Sequence, residues 1–318
     1  MSYSIIRFME KLNILVIGGA GFIGTTLCKF LRSKGYAVTA LSRQIPSDDF
    51  HKFNIGFILS DVSIPGKWQE LIPEYDVVIN LTGASIFRRW TTRGKQEILD
   101  SRIIPIRNIL NTLGKNKGKV QQFFSVSGVG YYGFHGDEII SDQNAAGTDF
   151  LARVAVRWEE EAEKVHELGI RLVVCRFGHV LGLSGGILPK LSTLAQWHLA
   201  SRWGSGKQWT SWIHEKDLVK CVSFLLEKPE VVGPVNVTSP NPVRNRELMN
   251  LLSNTTGKLA LIPPIPEFFL RLITGEFASV FVNGQRVIPE RLLHQGFEFE
   301  YPDLQGALDV LFSSYNNW

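Results

Sequence analysis

The chain has 318 residues, of which 44% are hydrophobic and 20% are charged, with a formal net charge of +4. This is ordinary globular composition, and the mild charge without any long Lys or Arg run argues against nucleic-acid and anionic-membrane binding. No apolar run approaches the roughly 18 residues that span a bilayer, and residues 1–10, a predicted N-terminal extension, are too short and weakly apolar for a secretory signal.

Short apolar runs alternate with longer amphipathic runs along most of the chain. The strand-like runs are, in order, LNILVIGG, YAVTALSR, IGFILSD, YDVVINLTG, VQQFFSVSG, IRLVVCRFG and GPVNVTSP. They are apolar almost throughout, which is typical of strands that are covered on both faces. Apolar residues at helical spacing follow the first run, from Phe22 to Leu31, and recur between Leu151 and Val165. This alternation predicts an α/β fold with a doubly wound parallel sheet, the Rossmann architecture.

The sequence pattern changes after VTSPNPVRN: two Pro-rich stretches, SPNP and LIPPIPEF, occur here, and the remaining sequence consists of helical runs with short connections. We therefore expect a second, smaller C-terminal α/β domain against the carboxyl ends of the strands. The predicted Rossmann domain comprises residues 11–176 and 208–238. The predicted substrate-side domain comprises residues 177–207 and 239–318.

A glycine-rich turn, VIGGAGFIG, joins the first predicted strand to the first predicted helix. Gly18 permits a tight turn, Gly21 lets the backbone approach a pyrophosphate, and Gly24 allows close packing of helix on sheet. The helix then begins at Phe22 and Ile23, and its free N–H groups and positive dipole end attract phosphates. This position between strand and helix predicts a dinucleotide site.

The end of the second predicted strand indicates which nucleotide is bound. Enzymes that prefer NAD usually carry Asp or Glu there, but this chain reads ALSRQ, which places Ser42 and Arg43 at that position. A guanidinium suits a 2′-phosphate, so we expect NADP(H) to be preferred over NAD(H). The alternative is that Arg43 is only a solvated surface residue.

Two further loops are expected to complete the cofactor site. Asp61 and Val62, after the third strand, are placed to flank the adenine ring, although Asp61 fits a turn residue equally well. Leu81, Thr82 and Gly83, in the motif NLTG, follow the fourth strand where the backbone passes the ribose and phosphates.

These motifs together resemble the short-chain dehydrogenase/reductase superfamily. GGAGFIG and NLTG are similar to motifs of its extended, epimerase-like branch, and SVSGVGYYG to the serine segment after its fifth strand. The segments IFRRWTTRGKQEILDSR and DFLARVAVRWEEEA and the tail from PIPEFF onward resemble an atypical subgroup labelled the NAD-dependent epimerase/dehydratase family, whose reaction is undefined. The resemblance runs from about Leu12 to the end of the chain.

The superfamily's usual catalytic pair, Tyr and Lys as Y-x-x-x-K, occurs nowhere in this sequence. Alignment on the WEE of the helix puts Leu151 in place of the Tyr and Ala155 in place of the Lys. Loss of a general acid–base typically costs about 10²–10⁴ in rate, so the usual route cannot be carried over. The resemblance implies that the subgroup as a whole lacks the pair.

Three residues near the fifth strand are candidates for a replacement catalyst. Ser127 stands at the superfamily's serine if the segment is aligned on Tyr131, whereas alignment on Tyr132 puts Gly128 there. Either tyrosine is placed at the ligand-facing end of the sheet to donate a proton, or it only lines a pocket.

Candidate substrate-side residues follow other strand ends. Arg88 and Arg89 after the fourth strand and Arg102 on the next helix suit a carboxylate or phosphate, with structural ion pairing as the alternative. Arg176 and Gly178 end the sixth predicted strand, and His179 follows them, where it is either a proton carrier or hydrogen-bonded scaffolding. The tryptophans of GSGKQWTSW and its surroundings either roof a substrate or seal the two domains: Trp203, Trp209 and Trp212.

Three widely spaced cysteines, Cys28, Cys175 and Cys221, suggest core residues in a reducing cytoplasm, and no His spacing indicates a metal site. We expect an NADP(H)-dependent oxidoreductase on a small carbonyl-type substrate of unknown identity. Two alternatives stay open: a non-catalytic NADPH sensor that presents its C-terminal domain to a partner, and a nucleotide-sugar epimerase-like isomerase. The sequence leaves both a monomer and a homodimer open.

Overall fold

The computed structural model describes residues 12–46 and 49–315, so the predicted extension at residues 1–10 lies outside the described residues. In chain order the strands are β1 (Asn13–Ile17), β2 (Ala37–Ser42), β3 (Gly56–Leu59), β4 (Val77–Asn80), β5 (Gln122–Gly128), β6 (Ile139–Ile140), β7 (Arg171–Phe177), β8 (His179–Leu181), β9 (Trp209–Thr210), β10 (Trp212–His214), β11 (Gly233–Val237), β12 (Val243–Arg244) and β13 (Arg286–Val287).

The helices are α1 (Phe22–Ser33), α2 (Asp49–Lys52), α3 (Trp68–Leu71), α4 (Thr92–Lys115), α5 (Phe150–Glu163), α6 (Leu188–Gln196), α7 (Glu215–Leu226), α8 (Asn245–Thr256), α9 (Glu267–Thr274), α10 (Ser279–Val282), α11 (Glu290–His294) and α12 (Leu304–Tyr315). Short 3₁₀ turns occupy Ile72–Glu74, Val129–Tyr132, Lys164–Leu168 and Gly275–Ala278.

The main sheet has seven parallel strands in the order β11-β7-β5-β4-β1-β2-β3. From β1 the chain adds β2 and β3 on one side, and then β4, β5, β7 and β11 on the other side. The boundary between β1 and β4 is therefore the switch point, where a doubly wound sheet binds its ligand. This confirms the predicted Rossmann architecture.

Both faces of the sheet are covered, which explains why its strands are apolar throughout. Ile14 and Val16 of β1 belong to the hydrophobic cluster under α1 and α7, whereas Leu15 and Ile17 belong to the cluster under α4 and α5. Side chains alternate between the two faces of a strand, so a strand buried on both sides needs apolar residues at every position.

A third hydrophobic cluster lies outside the main sheet and joins α6, α8 and α12 with Leu181 and Trp212. Three short strand pairs, β8 with β10, β9 with β12 and β6 with β13, accompany it. These elements form the additional C-terminal part that the sequence predicted, and the exact domain boundaries stay a prediction. Among the described helices, none has the length and apolar character required for crossing a bilayer.

Candidate active site

Gly21 is the glycine of the turn at which a Cβ would meet the fewest protein atoms. A Cβ on Gly24 would lie 2.3 Å from the carbonyl oxygen of Gly18, and one on Gly19 would lie 2.5 Å from the Cβ of Ala40. A Cβ on Gly21 would meet only the Gly18 oxygen, at 3.3 Å. Packing within the protein therefore constrains Gly21 less than Gly19 or Gly24, and the turn fits a dinucleotide that approaches beside Gly21.

Helix α1 offers its first-turn N–H groups to the same space. Gly21 occupies the N-cap position, and no side chain caps the helix. The ring of Phe22 is covered by the loop after β8, since a Cβ on Gly185 would lie 2.4 Å from it. The backbone N–H groups of Phe22 and Ile23 thus carry the positive end of the helix toward a phosphate.

The part of the site that is predicted to bind the adenosine of the cofactor contains an exposed guanidinium, that of Arg43. The side chain of Arg43 is 72% exposed, and its Nη1 lies 3.6 Å from Oδ2 of Asp61. The other oxygen of Asp61 accepts hydrogen bonds from the N–H and hydroxyl of Ser63, and these bonds lower the pKa of Asp61. Asp61 therefore forms a turn and faces Arg43 at the same time, while Val62 is buried and Ser42 closes β2.

The NLTG loop brings the cofactor turn next to the substrate side. A Cβ on Gly18 would lie 3.3 Å from the carbonyl carbon of Leu81. The hydroxyl of Thr82 donates to the buried Asn80 amide oxygen at 2.7 Å, which fixes the loop. A Cβ on Gly83 would lie 3.2 Å from the guanidinium carbon of Arg102, so that residue packs directly on the loop.

A cavity of about 360 Å³ lies at the carboxyl ends of β4, β5 and β7. Ser127, His179 and Arg102 line it, and Leu81 joins it to the glycine turn. Most of the remaining wall is apolar or aromatic, including Trp203, Trp209 and Trp212. Cavities of this size and polarity are typical of small-molecule sites.

Helix α5 contributes an apolar wall where the superfamily carries its catalytic pair. Leu151 and Ala155 both line the cavity. The helix begins at Asp149, whose carboxylate accepts the N–H groups of Leu151 and Ala152. This face of the helix therefore holds the cavity's shape and supplies no proton donor in place of the missing Tyr.

Ser127 belongs to a buried network under the cavity floor. Its hydroxyl donates to Oε1 of Glu159 at 2.6 Å, and Arg176 binds both oxygens of that carboxylate, at 2.9 and 2.7 Å. Glu159 and Arg176 are both almost completely buried. A carboxylate held by a guanidinium is an acceptor only, so the proton of Ser127 is committed to Glu159 and its lone pairs remain available.

The two candidate tyrosines lie beside Arg176, and the cavity wall does not include them. Tyr132 is fully buried, donates to Oδ1 of Asn236 at 2.7 Å, and accepts from Nη1 of Arg176 at 2.8 Å. Burial raises its pKa to about 12. The ring of Tyr131 packs on the guanidinium of Arg176, 3.5 Å from the ring centre. The structure thus places both rings in the buried network.

Two substrate-side candidates, Arg88 and Arg89, do not line this cavity, whereas Gly178 does. Arg88 is paired with Glu97, and Arg89 donates to the carbonyl of Ile273 at 3.4 Å. Both line a neighbouring cavity of about 390 Å³ that shares Trp203 with the main one. Gly178 lines the main cavity and leaves no room for a side chain, since a Cβ there would lie 2.7 Å from a backbone oxygen.

His179 is the histidine among the residues that line the cavity. Its backbone N–H donates to the carbonyl of Ser211 at 2.8 Å, but its ring makes no hydrogen bond to any described residue. Burial lowers the pKa of His179 below its ordinary value, so the ring is neutral at physiological pH. A neutral imidazole still has one N–H donor and one acceptor nitrogen.

Two functional residues were missed from the sequence. Glu159 was not identified as the partner of Arg176, although a guanidinium in an otherwise apolar strand requires a buried carboxylate. Trp158 also lines the cavity and was assigned only to the helix stripe. Across residues 12–46 and 49–315, no three potential ligands from His, Cys, Asp and Glu are grouped for a metal ion.

The family is shown by comparison with known proteins. The model of the NAD dependent epimerase/dehydratase family matches residues 14–238 of the chain. This chain belongs to that family. A second model, described as a domain of unknown function (DUF1731), matches residues 265–311. The predicted membership and the distinctive C-terminal region are both confirmed.

Among the curated members of this epimerase/dehydratase family, the epimerase family protein YfhF of Bacillus subtilis is 36% identical over 301 residues, covering 94% of this chain and 98% of that protein. The chloroplastic epimerase family protein SDR39U1 homolog of Arabidopsis thaliana is 33% identical over 311 residues, covering 95% and 87%.

Solved structures show the same likeness within the family. The human epimerase family protein SDR39U1 (isoform 2), crystallised with NADPH, superposes with a TM-score of 0.81 at 28% identity, covering 95% of this chain and 99% of that one. A nucleoside-diphosphate sugar epimerase from Corynebacterium glutamicum gives a TM-score of 0.75 at 27% identity, covering 95% of this chain and 59% of that one.

Proposed function

We propose that this epimerase/dehydratase-family protein is an NADP(H)-dependent oxidoreductase that acts on a small carbonyl compound. The observation that carries the proposal is that the glycine turn and the cavity are adjacent. A Cβ on Gly18 of the turn would lie 3.3 Å from the carbonyl carbon of Leu81, and Leu81 lines a largely apolar cavity that His179 and Ser127 also line. A hydride donor seated on the turn and an acceptor seated in the cavity would therefore be neighbours.

The preference for NADP(H) rests on Arg43. Its guanidinium is exposed, is weakly engaged by Asp61 at 3.6 Å, and follows β2 where the 2′ position of the ribose is recognised. The human relative that was crystallised with NADPH supports the same cofactor. When bound, the nicotinamide ring supplies or takes up the hydride.

His179 is the group we propose to move the proton. His179 lines the cavity and its ring makes no hydrogen bond to any described residue, whereas the proton of Ser127 is already committed to Glu159. During reduction, the neutral imidazole passes its N–H proton to the carbonyl oxygen as that oxygen gains negative charge, while its other ring nitrogen takes up a proton from solvent, so the ring ends neutral. Ser127 contributes an acceptor oxygen that orients a hydroxyl or a water.

The proposed proton transfer by His179 is tested by measuring the consumption of NADPH in the presence of a panel of aldehydes, ketones and enones. We expect His179→Gln to reduce turnover by about 10²–10⁴, the usual loss for a general acid, without changing NADPH affinity. The matched control is His166→Gln, because His166 is exposed and lies on the turn after α5. Equal turnover by the His179 variant and the wild type would contradict the assignment.

The missing Tyr and Lys favour a second candidate, a non-catalytic NADPH sensor. That function predicts tight NADPH binding, no turnover of any carbonyl in the panel, and a protein partner for the C-terminal region. The isomerase alternative predicts turnover of a nucleotide sugar with no net consumption of NADPH. For the location we propose the cytoplasm, supported by the three buried free cysteines, Cys28, Cys175 and Cys221.

A further inference from the structure

We propose that the substrate carries a carboxylate, which Arg102 binds inside the main cavity. This inference rests on the proposed function and names its substrate class as an apolar or aromatic oxo acid. Among the residues that line the cavity, the one guanidinium belongs to Arg102, which is half-buried and has no charged partner among the described residues.

The hydrogen bonds of Arg102 to the protein use only one of its three guanidinium nitrogens, Nη1. Nη1 donates to the carbonyls of Ala84 and Ile98, at 3.2 and 2.8 Å, and to the hydroxyl of Ser101 at 3.3 Å. Within the described residues Nε and Nη2 make no hydrogen bond. Two adjacent N–H donors on one edge of a guanidinium match the two oxygens of a carboxylate.

The missing counter-charge distinguishes Arg102 from its neighbours. On the same helix Arg93 pairs with Glu97, and Arg107 pairs with Glu161. No carboxylate of the described residues pairs with Arg102, and burial lowers its pKa to about 10, which still leaves it charged at neutral pH. A half-buried charge that has lost part of its hydration and has no ionic partner is unfavourable, so a bound anion would stabilise it.

A second unsatisfied donor lies next to the guanidinium. The indole of Trp158 packs against Arg102, with the guanidinium carbon 4.9 Å from the ring centre. Its Nε1 is buried and has no acceptor among the described residues. Asp149 is the carboxylate on the cavity wall, and its Oδ1 caps α5 through the N–H groups of Leu151 and Ala152.

The remaining lining residues of the cavity determine the size and the apolar character of the rest of the ligand. Aromatic side chains from several segments form much of its wall, among them Phe177, Trp209 and Phe281. A volume of about 360 Å³ accommodates one ring with a short side chain. A carboxylate at Arg102, an apolar body between the aromatic walls, and a carbonyl near His179 together describe an oxo acid.

The test measures binding, so it does not depend on turnover. NADP⁺-saturated protein is titrated with phenylacetate and indole-3-acetate and with their neutral amides, by calorimetry and thermal melting. We expect the carboxylates to bind about tenfold or more tightly than the amides in the wild type, as a charge-assisted contact provides. Arg102→Met should make the two classes equal and leave NADP⁺ affinity within about threefold of the wild type.

Two further variants keep the test decisive. Arg93→Met, on the same helix but with an exposed side chain, should retain the carboxylate preference. If Arg102→Met does not fold, Arg102→Lys keeps the charge but loses the fork, and should weaken carboxylate binding about tenfold.

Three results with the wild type would overturn the inference: equal binding of acids and amides, no binding of any probe at millimolar concentration, or tighter binding of phenyl phosphate than of phenylacetate. Loss of NADP⁺ affinity in Arg102→Met would also overturn it, because the guanidinium would then serve the cofactor. A carboxylate preference without any carbonyl reduction would contradict only the proposed function.

Discussion

His214 gives the folded protein a pH dependence that can be calculated from its surroundings. Its ring caps α7 by accepting the N–H of Lys216 at Nδ1, 3.1 Å away, and lies 4.0 Å from the ring of Tyr301. Its Nε2 is buried without an acceptor among the described residues. Burial, with a smaller contribution from Lys216, lowers the pKa of His214 from 6.5 to about 4.

The direction of the effect follows from which state binds the proton more readily. The unfolded chain takes up a proton at His214 near pH 6.5, whereas the folded protein resists it until about pH 4. The stability is therefore fully present above 6.5 and is lost as the pH falls toward 4. At about 1.36 kcal/mol per unit, one such site loses about 2 kcal/mol between about pH 7 and about pH 5.

The variant that isolates this effect is His214→Asn, because Asn is a good N-cap residue and does not titrate in this range. Urea unfolding of both proteins is measured at the two pH values. We expect the stability of the wild type relative to the variant to fall by about 2 kcal/mol on acidification, since contributions from other groups cancel in the comparison. A constant difference at the two pH values would refute the reasoning.

Two further predictions concern the cofactor site. Gly21→Ala should weaken NADPH binding at least about tenfold with little change in melting temperature, whereas Gly24→Ala should destabilise the fold, because its Cβ would lie 2.3 Å from the Gly18 oxygen. Fluorescence titration and thermal melts separate the two variants, and a Gly21→Ala protein with wild-type affinity would remove the turn from the site. Arg43→Ala should lower the NADPH-to-NADH affinity ratio about tenfold to a hundredfold, and an unchanged ratio would contradict the role of Arg43.

The fold could be predicted because its signals are local. The glycine turn lies between a strand and a helix, and residues such as Ile14 to Ile17 are apolar at every position because both faces of β1 are covered. Asp149 starts α5 by accepting the N–H groups of Leu151 and Ala152, two and three positions further along the chain. These features depend on neighbours within a few positions along the chain.

The site could be predicted only in part, because it depends on which way each side chain points. Ser127, Arg102 and His179 were identified from their places at or beyond strand ends, and the cavity unites them. Tyr131 and Arg176 occupy similar places in the chain but pack into the network beneath the cavity. Such a difference is decided by contacts between residues that are distant in sequence.

Leu151 and Ala155 stand where the superfamily carries its catalytic Tyr and Lys, and this difference affects how the substrate range of the protein can change. In relatives with the pair, one helical face must both fit the substrate and perform the chemistry. Here that face only sets the volume of the cavity, and proton transfer is proposed at His179, on a different element. Substitutions along α5 can then retune which molecule is accepted and leave the reaction itself intact.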